Sequence, residues 1–211
     1  MVRTWPPIDT EPPADGSRRE LNKHDVHVRL LQAARELFAE RGVADTTAED
    51  IAASAGVSRA TFFNYFQGKH GVVIALHEAH MASLALLVDE LVAAPASTAD
   101  RLRRLFVDLA ATAATAPVYF ASLSGELERE LSVPTVSAPR TEHLTASMTR
   151  LLQPGIDAGE VRVDMPVRFL AQMVGSTYIA VIRHWRESPG DDMAVNCELA
   201  ARFLSEALAA G

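Results

Sequence analysis

The chain has 211 residues, of which 48% are hydrophobic and 22% charged, with a formal net charge of -7 at pH 7. This composition excludes a wholly disordered chain and suffices for one large core, or for a small domain joined to a larger one. Cys197 is the only cysteine, which excludes an internal disulfide framework. No signal peptide is visible, and Pro117 interrupts the uncharged stretch 109–125, so we expect a soluble cytoplasmic protein without membrane contact.

The negative charge is concentrated in the second part of the chain. Residues 17–71 contain eight Lys or Arg and seven acids, whereas residues 72–211 contain eleven Arg and seventeen acids. Binding of nucleic acid by the first part would therefore depend on a few well-placed cations. We expect such binding to be sensitive to salt.

The first expected elements are a tail and a helix. Residues 1–16 contain four prolines in two Pro-Pro pairs, a composition that predicts a disordered tail. A helix over residues 25–41, ended by Gly42, is predicted by apolar residues at spacings of three and four, namely Leu30, Ala34, Leu37 and Phe38.

Residues 47–69 contain two short helical patterns on either side of a tight turn. Thr47 is a good N-cap for the first pattern, and the acidic Glu49 and Asp50 in its opening turn complement the helix dipole. Gly56 can adopt the left-handed conformation that ends such a helix. The spacing therefore predicts a short helix followed by a sharp turn.

Ser58 is positioned to cap the second helix of this pair. Phe62 and Phe66 are four residues apart and share its inward face. The residues left toward solvent are Arg59, Ala60, Thr61, Asn64 and Tyr65. This arrangement predicts a helix-turn-helix, in which the second helix can enter a major groove of DNA.

The same stretch carries a longer pattern, T-x-x-x-I-A-x-x-A-G-V-S, followed by a short aromatic helix that closes on Tyr-Phe and a Lys. The matching residues are Leu30, Leu31, Ala33, Ala34, Leu37, Phe38, Gly42, Thr47, Ile51, Ala52, Ala55, Gly56, Val57, Ser58, Phe62, Tyr65, Phe66 and Lys69. This pattern resembles that of the tetracycline-repressor (TetR) family. The resemblance is confined to residues 30–69 and implies a DNA-binding transcriptional regulator.

The resemblance also implies which residues contact DNA. Base edges would be read by Arg59, Ala60, Thr61 and Asn64. Phosphates would be held by Thr47, Ser58, Tyr65 and Lys69. Arginine can bind guanine in a bidentate manner, asparagine can bind adenine, and the methyl groups of Ala and Thr can contact the thymine methyl.

Two positions of the second helix depart from the family pattern. Phe63 stands where the family usually has Tyr, so it would contact DNA without a hydroxyl, and Ala60 replaces the commoner Gly. In this family an arm before the first helix can lie along the DNA, and residues 17–23 contain Arg18, Arg19 and Lys23. These three cations can equally be a solvated charge run, and the sequence leaves both possibilities open.

The remaining chain is predicted to form further helices. A long helix is expected over residues 69–93, where it would connect the DNA-binding part to the rest of the chain. The other helices are expected over residues 99–115, from Pro117, and over 140–157, 167–187 and 191–209, with a loop between Pro134 and Pro139. We predict an all-α fold of about nine helices. Its parts are the tail 1–16, a helix-turn-helix domain 17–68, and a larger ligand-binding and dimerisation domain 69–211.

The last two expected helices are both amphipathic. The first has the apolar series Val167, Leu170, Ala171, Val174, Tyr178, Ile182 and Trp185, and the second has Val195, Leu199, Phe203, Ala207 and Leu208. Gly175 and Ser176 would allow another helix to approach closely. The family resemblance implies that this pair forms a four-helix homodimer interface, and the alternative is that it packs only within one chain.

A small-molecule effector is implied by the resemblance. The residues that could surround an apolar pocket with a few hydroxyls are Phe106, Tyr119, Phe120, Met148, Met173, Thr177 and Tyr178. The same residues could equally be ordinary core. The sequence contains no glycine-rich phosphate loop, nucleophile elbow or HExxH motif, so we expect neither an enzyme nor a cofactor.

His70, His77 and His80 lie on one side of the long helix and raise the possibility of a zinc site, with solvated or interdomain histidines as the alternative. Cys197 could sense oxidants or pack as a small apolar residue. We predict a TetR-type regulator that binds a palindromic operator as a dimer and is released by a small molecule. The alternatives are a metal-responsive regulator, or an all-α enzyme or interaction scaffold with a vestigial helix-turn-helix.

Overall fold

A computed structural model describes residue 8 and residues 16–130, 134–188 and 190–210, with the side chains of residues 129–140 left out. Apart from Ile8 and Gly16, the predicted tail 1–16 lies outside these residues, so its disorder stays a prediction. Nine helices account for most of the described residues, and the predicted all-α fold is confirmed. Their bounds are α1 Arg18–Arg41, α2 Ala48–Ser54, α3 Arg59–Tyr65, α4 Gly68–Ala93, α5 Thr98–Thr115, α6 Pro117–Glu130, α7 Pro134–Asp157, α8 Val167–Glu187 and α9 Met193–Leu208.

Helix α1 begins earlier than the apolar periodicity predicts. Ser17 caps it, with its Oγ 3.4 Å from the Glu20 backbone nitrogen, and the Glu20 carboxylate accepts a hydrogen bond of 2.7 Å from the Ser17 backbone N–H. This reciprocal capping box is a start signal that does not depend on apolar residues. Arg18, Arg19 and Lys23 therefore lie on the first turns of α1 and do not form an arm before it.

Helix α7 also begins earlier than predicted. It runs from Pro134 and takes in Pro139, so the expected loop between these prolines and the expected start at residue 140 are wrong. Pro134 is the first residue of this helix, where proline is tolerated because the N–H that it lacks would have no partner there. Pro134 therefore marks a helix start where the sequence predicts a loop.

The chain divides into two compact units, which are described separately. Unit 1 contains α1, α2, α3, the part of α4 up to His80, and residues Ala116–Glu128, which include most of α6. Unit 2 contains the rest of α4 from Met81, together with α5, α7, α8 and α9. The functional division at residue 69 stays a prediction, since these units are defined by packing and not by activity.

The core of unit 1 is built from α1, the helix-turn-helix and α6. Its fully buried side chains include Leu30 and Phe38 of the predicted α1 stripe, Ile51 of α2, Phe62 of α3 and Tyr119 of α6. At Gly42, which follows α1 with φ of 81°, an added Cβ would lie 2.9 Å from Ser122 Oγ of α6. The chain at this turn therefore has room for glycine only, and α6 is an integral part of the unit.

In unit 2, α5 packs against α7 and α9, and α8 packs against α7 and α9. A Cβ added at Gly175 would lie 3.2 Å from Leu144 Cγ and Cδ2, so Gly175 permits the close approach that the sequence predicts, with α7 as its partner. The start of α5 is fixed by Glu160, whose carboxylate accepts hydrogen bonds from Thr98 N at 2.7 Å and Thr98 Oγ1 at 2.8 Å.

Helix α4 is long and apolar enough, by length and composition alone, to cross a membrane. Val72, Val73 and Leu76 are fully buried in its first part, and Val88 is fully buried in its second part. A core helix of a water-soluble protein passes the same length and composition test. We therefore assign α4 to the core of the helical fold.

Candidate nucleic-acid interface

The turn between α2 and α3 has the tight geometry that the sequence predicts. Gly56 has a φ of 67°, in the left-handed region that favours glycine. The Val57 N–H donates to Ala52 O at 3.0 Å, and the Ala55 N–H donates to Ile51 O at 2.9 Å. These bonds hold the two helices at a fixed angle, which a DNA-reading pair requires.

Side-chain caps fix the starts of both helices. Thr47 Oγ1 accepts a hydrogen bond of 3.1 Å from the Asp50 N–H, and the Asp50 carboxylate accepts a bond of 2.9 Å from the Thr47 N–H. Bonds from the Thr47 side chain and backbone lower the pKa of Asp50, and Arg41 adds to this effect. Ser58 Oγ accepts a bond of 3.0 Å from the Thr61 N–H. These hydroxyls therefore already organise the helix starts that would face DNA.

The recognition helix, which we define as α3, presents one face to solvent. Phe62 is fully buried, and Thr61 and Tyr65 are half-buried. The exposed residues are Arg59, Ala60, Phe63 and Asn64. These four fall at i, i+1, i+4 and i+5 and so share one helix face. The structure brings together most of the predicted base-reading set and places Phe63 beside it.

Arg59 has defined contacts. Its Nε lies 2.7 Å from Oε1 of Glu49 on α2, and its guanidinium carbon lies 5.4 Å from the centroid of the Phe63 ring. The second contact has the geometry of a cation–π interaction. Its side chain nonetheless stays 70% exposed. The arginine is thus oriented by a neighbouring acid and an aromatic ring while it remains accessible.

Lys69, a predicted phosphate contact, donates its hydrogen bonds to the backbone of its own chain. Its Nζ donates hydrogen bonds to the carbonyl oxygens of Val43 at 2.6 Å and Ala44 at 3.0 Å. These carbonyls belong to the segment between α1 and α2, so Lys69 joins the start of α4 to that segment. Its predicted contact with a phosphate stays a prediction, and in this structure the ammonium group is engaged by the chain itself.

Two residues of α1 that sequence reasoning missed support the helix-turn-helix. Arg29 Nη1 donates to Ala55 O at 2.9 Å, and so fixes the end of α2. The His27 ring stacks on Phe66 with centroids 5.1 Å apart, and burial foremost lowers the pKa of His27. Both contacts join residues far apart in the sequence. A local pattern of spacing therefore carries no signal for them.

The predicted ligand-binding residues are divided between the two units, and their role in binding a ligand stays a prediction. Phe106, Met148 and Tyr178 are buried in unit 2, where the Phe106 and Tyr178 rings lie 6.0 Å apart. Burial raises the pKa of the Tyr178 hydroxyl well above its usual range. Tyr119 and Phe120 are buried but belong to unit 1, Met173 is exposed, and the Thr177 hydroxyl donates to Met173 O at 2.9 Å.

The histidines of α4 differ in environment. His70 is exposed, and the His77 and His80 rings lie 6.3 Å apart. Burial, reinforced by His77, lowers the pKa of His80 to about 3. Among the residues that the structure describes, no three His, Cys, Asp or Glu side chains form a group suited to a metal ion.

Cys197 is buried, and burial raises the pKa of its thiol to about 12, so it is poorly suited to form a reactive thiolate.

Comparisons with known proteins agree with this geometry. Residues 30–76 match the family model described as bacterial regulatory proteins, tetR family. The HTH-type transcriptional repressor KstR2 of Mycobacterium tuberculosis is 26% identical over 159 residues, which cover 74% of this chain and 80% of that protein. The fatty acid metabolism regulator protein of Bacillus subtilis is 23% identical over 176 residues, with coverages of 77% and 84%.

A solved structure extends the likeness to the second unit. The TetR-family repressor FadR of Thermus thermophilus, in complex with lauroyl-CoA, superposes with a TM-score of 0.68. It is 31% identical, and the match covers 83% of this chain and 91% of that one. These relatives are transcriptional regulators, so an enzyme or a scaffold with a vestigial helix-turn-helix is not favoured. On this likeness and the helix-turn-helix geometry, the chain belongs to the TetR family of bacterial transcriptional regulators.

Proposed function

We propose that this protein represses transcription by binding a two-fold DNA operator as a homodimer, and that an acyl-CoA thioester bound in unit 2 releases it. Regulators of this family bind DNA operators as dimers and bind small-molecule effectors. The observation that carries the proposal is the capped and exposed recognition helix, which presents Arg59 and Asn64 on one face. These two side chains match guanine and adenine respectively.

The proposed dimer uses α8 and α9. The buried series of α9 is Met193, Cys197, Ala200, Ala201, Leu204 and Leu208, which packs within unit 2. A second apolar series is exposed on these helices and consists of Phe169, Met173, Ile179, Val195, Leu199 and Phe203. An exposed apolar surface of this kind, which we call the α8/α9 face, is typical of a protein interface. A second copy would cover it by two-fold symmetry and would supply the second recognition helix.

The proposed effector class is supported by the FadR relative, whose structure contains lauroyl-CoA. An acyl chain needs an apolar environment, and the core of unit 2 offers Phe106, Met148 and Tyr178.

Helix α4 contributes to both units, so a ligand that prefers one position of α4 could change the spacing of the recognition helices. A 100-fold difference in affinity between the two spacings is worth about 2.7 kcal/mol. This protein would act in the cytoplasm, where bacterial DNA is found.

The DNA-binding proposal is tested by selecting bound sequences from a random duplex library with the full chain. We expect enrichment of a site with two-fold symmetry. Arg59→Ala should weaken binding to that site by roughly tenfold or more and relax the preference at one base of each half-site. Arg103→Ala replaces an exposed arginine of α5 and is the matched control, which should leave the site unchanged. Failure to enrich any site at low salt would refute the proposal.

The effector proposal is tested separately on the selected operator. Acyl-CoA thioesters of increasing chain length are titrated into the protein–operator complex, and release is followed by fluorescence anisotropy. We expect release by a long-chain thioester, and none by CoA without an acyl group, because the acyl chain provides the apolar surface to be buried. Equal release by CoA, or no release by any thioester, would reject this effector class and leave the operator result intact.

A further inference from the structure

Glu49 and Arg59 form an ion pair across the helix-turn-helix, one on α2 and the other on α3. The Arg59 Nε lies 2.7 Å from Glu49 Oε1, and both side chains remain largely exposed. We infer that Glu49 determines DNA specificity by directing Arg59 toward bases and away from phosphates. This inference rests on the proposed role of Arg59 as a base-reading residue.

The geometry of the pair determines which edge of the guanidinium can meet DNA. Glu49 engages Nε, and the Phe63 ring lies 5.4 Å from the guanidinium carbon. The edge that carries the two Nη groups is the one that can donate two parallel hydrogen bonds to guanine O6 and N7. An arginine already oriented in this way loses less side-chain freedom when it binds a base.

The charge of Glu49 also opposes the binding of Arg59 to DNA phosphates. A free guanidinium binds any phosphate, and such contacts supply most of non-specific binding. A carboxylate held beside Arg59 offsets its charge and repels a phosphate that approaches that side. Guanine offers neutral acceptor atoms and meets less repulsion. Glu49 should therefore weaken non-specific binding more than binding to the preferred site.

Glu49 is not needed to cap its own helix. The carboxylate that completes the capping box of α2 belongs to Asp50, which accepts hydrogen bonds from the Thr47 backbone N–H at 2.9 Å and hydroxyl at 2.7 Å. Asp50 also pairs with Arg41 at 2.9 Å. The Glu49 carboxylate pairs with Arg59 alone among the ion pairs described here, so replacing it leaves the cap in place.

The test compares the full chain with Glu49→Gln on two duplexes, the selected operator and a scrambled sequence of the same length, over a series of KCl concentrations. Glu40→Gln is the matched control, since it removes the same charge from an exposed acid of α1. We expect Glu49→Gln to tighten binding to the scrambled duplex and to lower the ratio of specific to non-specific affinity roughly fivefold or more. The salt slope for the scrambled duplex should steepen by about 0.9.

Further variants separate the effect of the Glu49–Arg59 pair from other effects of removing the Glu49 charge. In the Arg59→Ala background, Glu49→Gln should no longer change the ratio, because the partner is absent. If Glu49→Gln melts at a lower temperature, Glu49→Asp keeps the charge at the helix start and should lower the ratio by shortening the reach to Arg59. The inference is overturned if Glu49→Gln behaves like Glu40→Gln, or if its effect survives in Arg59→Ala. Absence of any preferred operator for the parent chain would instead refute the proposed function.

Discussion

Lys69 shows how a cation assigned to DNA by its place in a family pattern can be engaged by its own chain. Its ammonium group bonds to the carbonyl oxygens of Val43 and Ala44, between α1 and α2. We expect Lys69→Met to lower the free energy of unfolding by about 2 kcal/mol, because two bonds from a charged donor are lost. The measurement is urea unfolding followed by circular dichroism.

The control for this prediction is Lys23→Met, which removes an exposed lysine from α1 and should leave stability nearly unchanged. The salt dependence of operator binding separates the two roles of Lys69. If Lys69 only joins α4 to the segment between α1 and α2, its replacement leaves the salt slope unchanged. A slope that falls by about 1, with normal stability, would restore the phosphate contact implied by the family pattern.

The residues that sequence reasoning found are those with local signals. Thr47 and Ser58 were identified as caps because each stands directly before a helical pattern, and both bonds are present. Arg29 and Lys69 bond to carbonyl oxygens 26 residues away along the chain. No periodicity connects such positions, so neither bond could be predicted. For Lys69 the family resemblance alone implies a partner, and the partner that it implies is a DNA phosphate.

Gly155 of α7 lies against the start of α5 with no room for a side chain. A Cβ at this position would lie 1.9 Å from Thr98 Oγ1 and 2.9 Å from Val161 Cγ2. Thr98 is held by two bonds to Glu160 and has little freedom to move. We expect Gly155→Ala to lower the free energy of unfolding by about 1–3 kcal/mol through overpacking, as measured by thermal unfolding.

Gly71→Ala is the matched control for this substitution, since Gly71 also lies inside a helix. A Cβ there would be 3.5 Å from Phe66 Cβ, an ordinary contact. Alanine favours the helix over glycine by about 1 kcal/mol, so Gly71→Ala should leave stability unchanged or increase it. Equal destabilisation by the two substitutions would show that space at Gly155 is not the determining factor.

Apolar periodicity predicts that the elements are helices and about how many there are. It does not predict where α1 and α7 begin, and each start has its own cause. The start of α1 depends on the Ser17–Glu20 capping box, which precedes the apolar stripe. The start of α7 lies at Pro134, where the sequence predicts a loop. The predicted apolar series of α9 combines Val195, Leu199 and Phe203, which are exposed, with Leu208, which is buried. Periodicity finds the apolar positions of a helix, but it cannot distinguish those buried within one chain from those exposed on its surface.

For the whole molecule, the α8/α9 face leads to a prediction about assembly. Phe203 is 64% exposed in the single chain. We expect Phe203→Glu to weaken the proposed homodimer by roughly 100-fold, because two-fold symmetry places an unpaired charge in the interface from each copy. Sedimentation equilibrium gives the association constant. Operator binding should weaken in parallel, since a monomer reads one half-site.

Val107→Glu is the control for the dimer prediction, because it introduces the same charge at an exposed apolar residue of α5, outside the α8/α9 face. It should leave the association constant unchanged. A Phe203→Glu protein that remains dimeric, or a parent chain that is monomeric at concentrations where it binds the operator, would contradict assembly through this face.

The membership of α6 in unit 1 has a consequence for synthesis and for engineering. Translation delivers α1, α2 and α3 long before Tyr119, which is fully buried, and Ser122, which lies against Gly42. Unit 1 therefore emerges with part of its core still to be made, and it becomes complete only after residues 81–115 of unit 2 have been translated. A chimaera joined at residue 69 would leave α6 behind. A transplant that keeps the module intact must carry residues 116–128 as well.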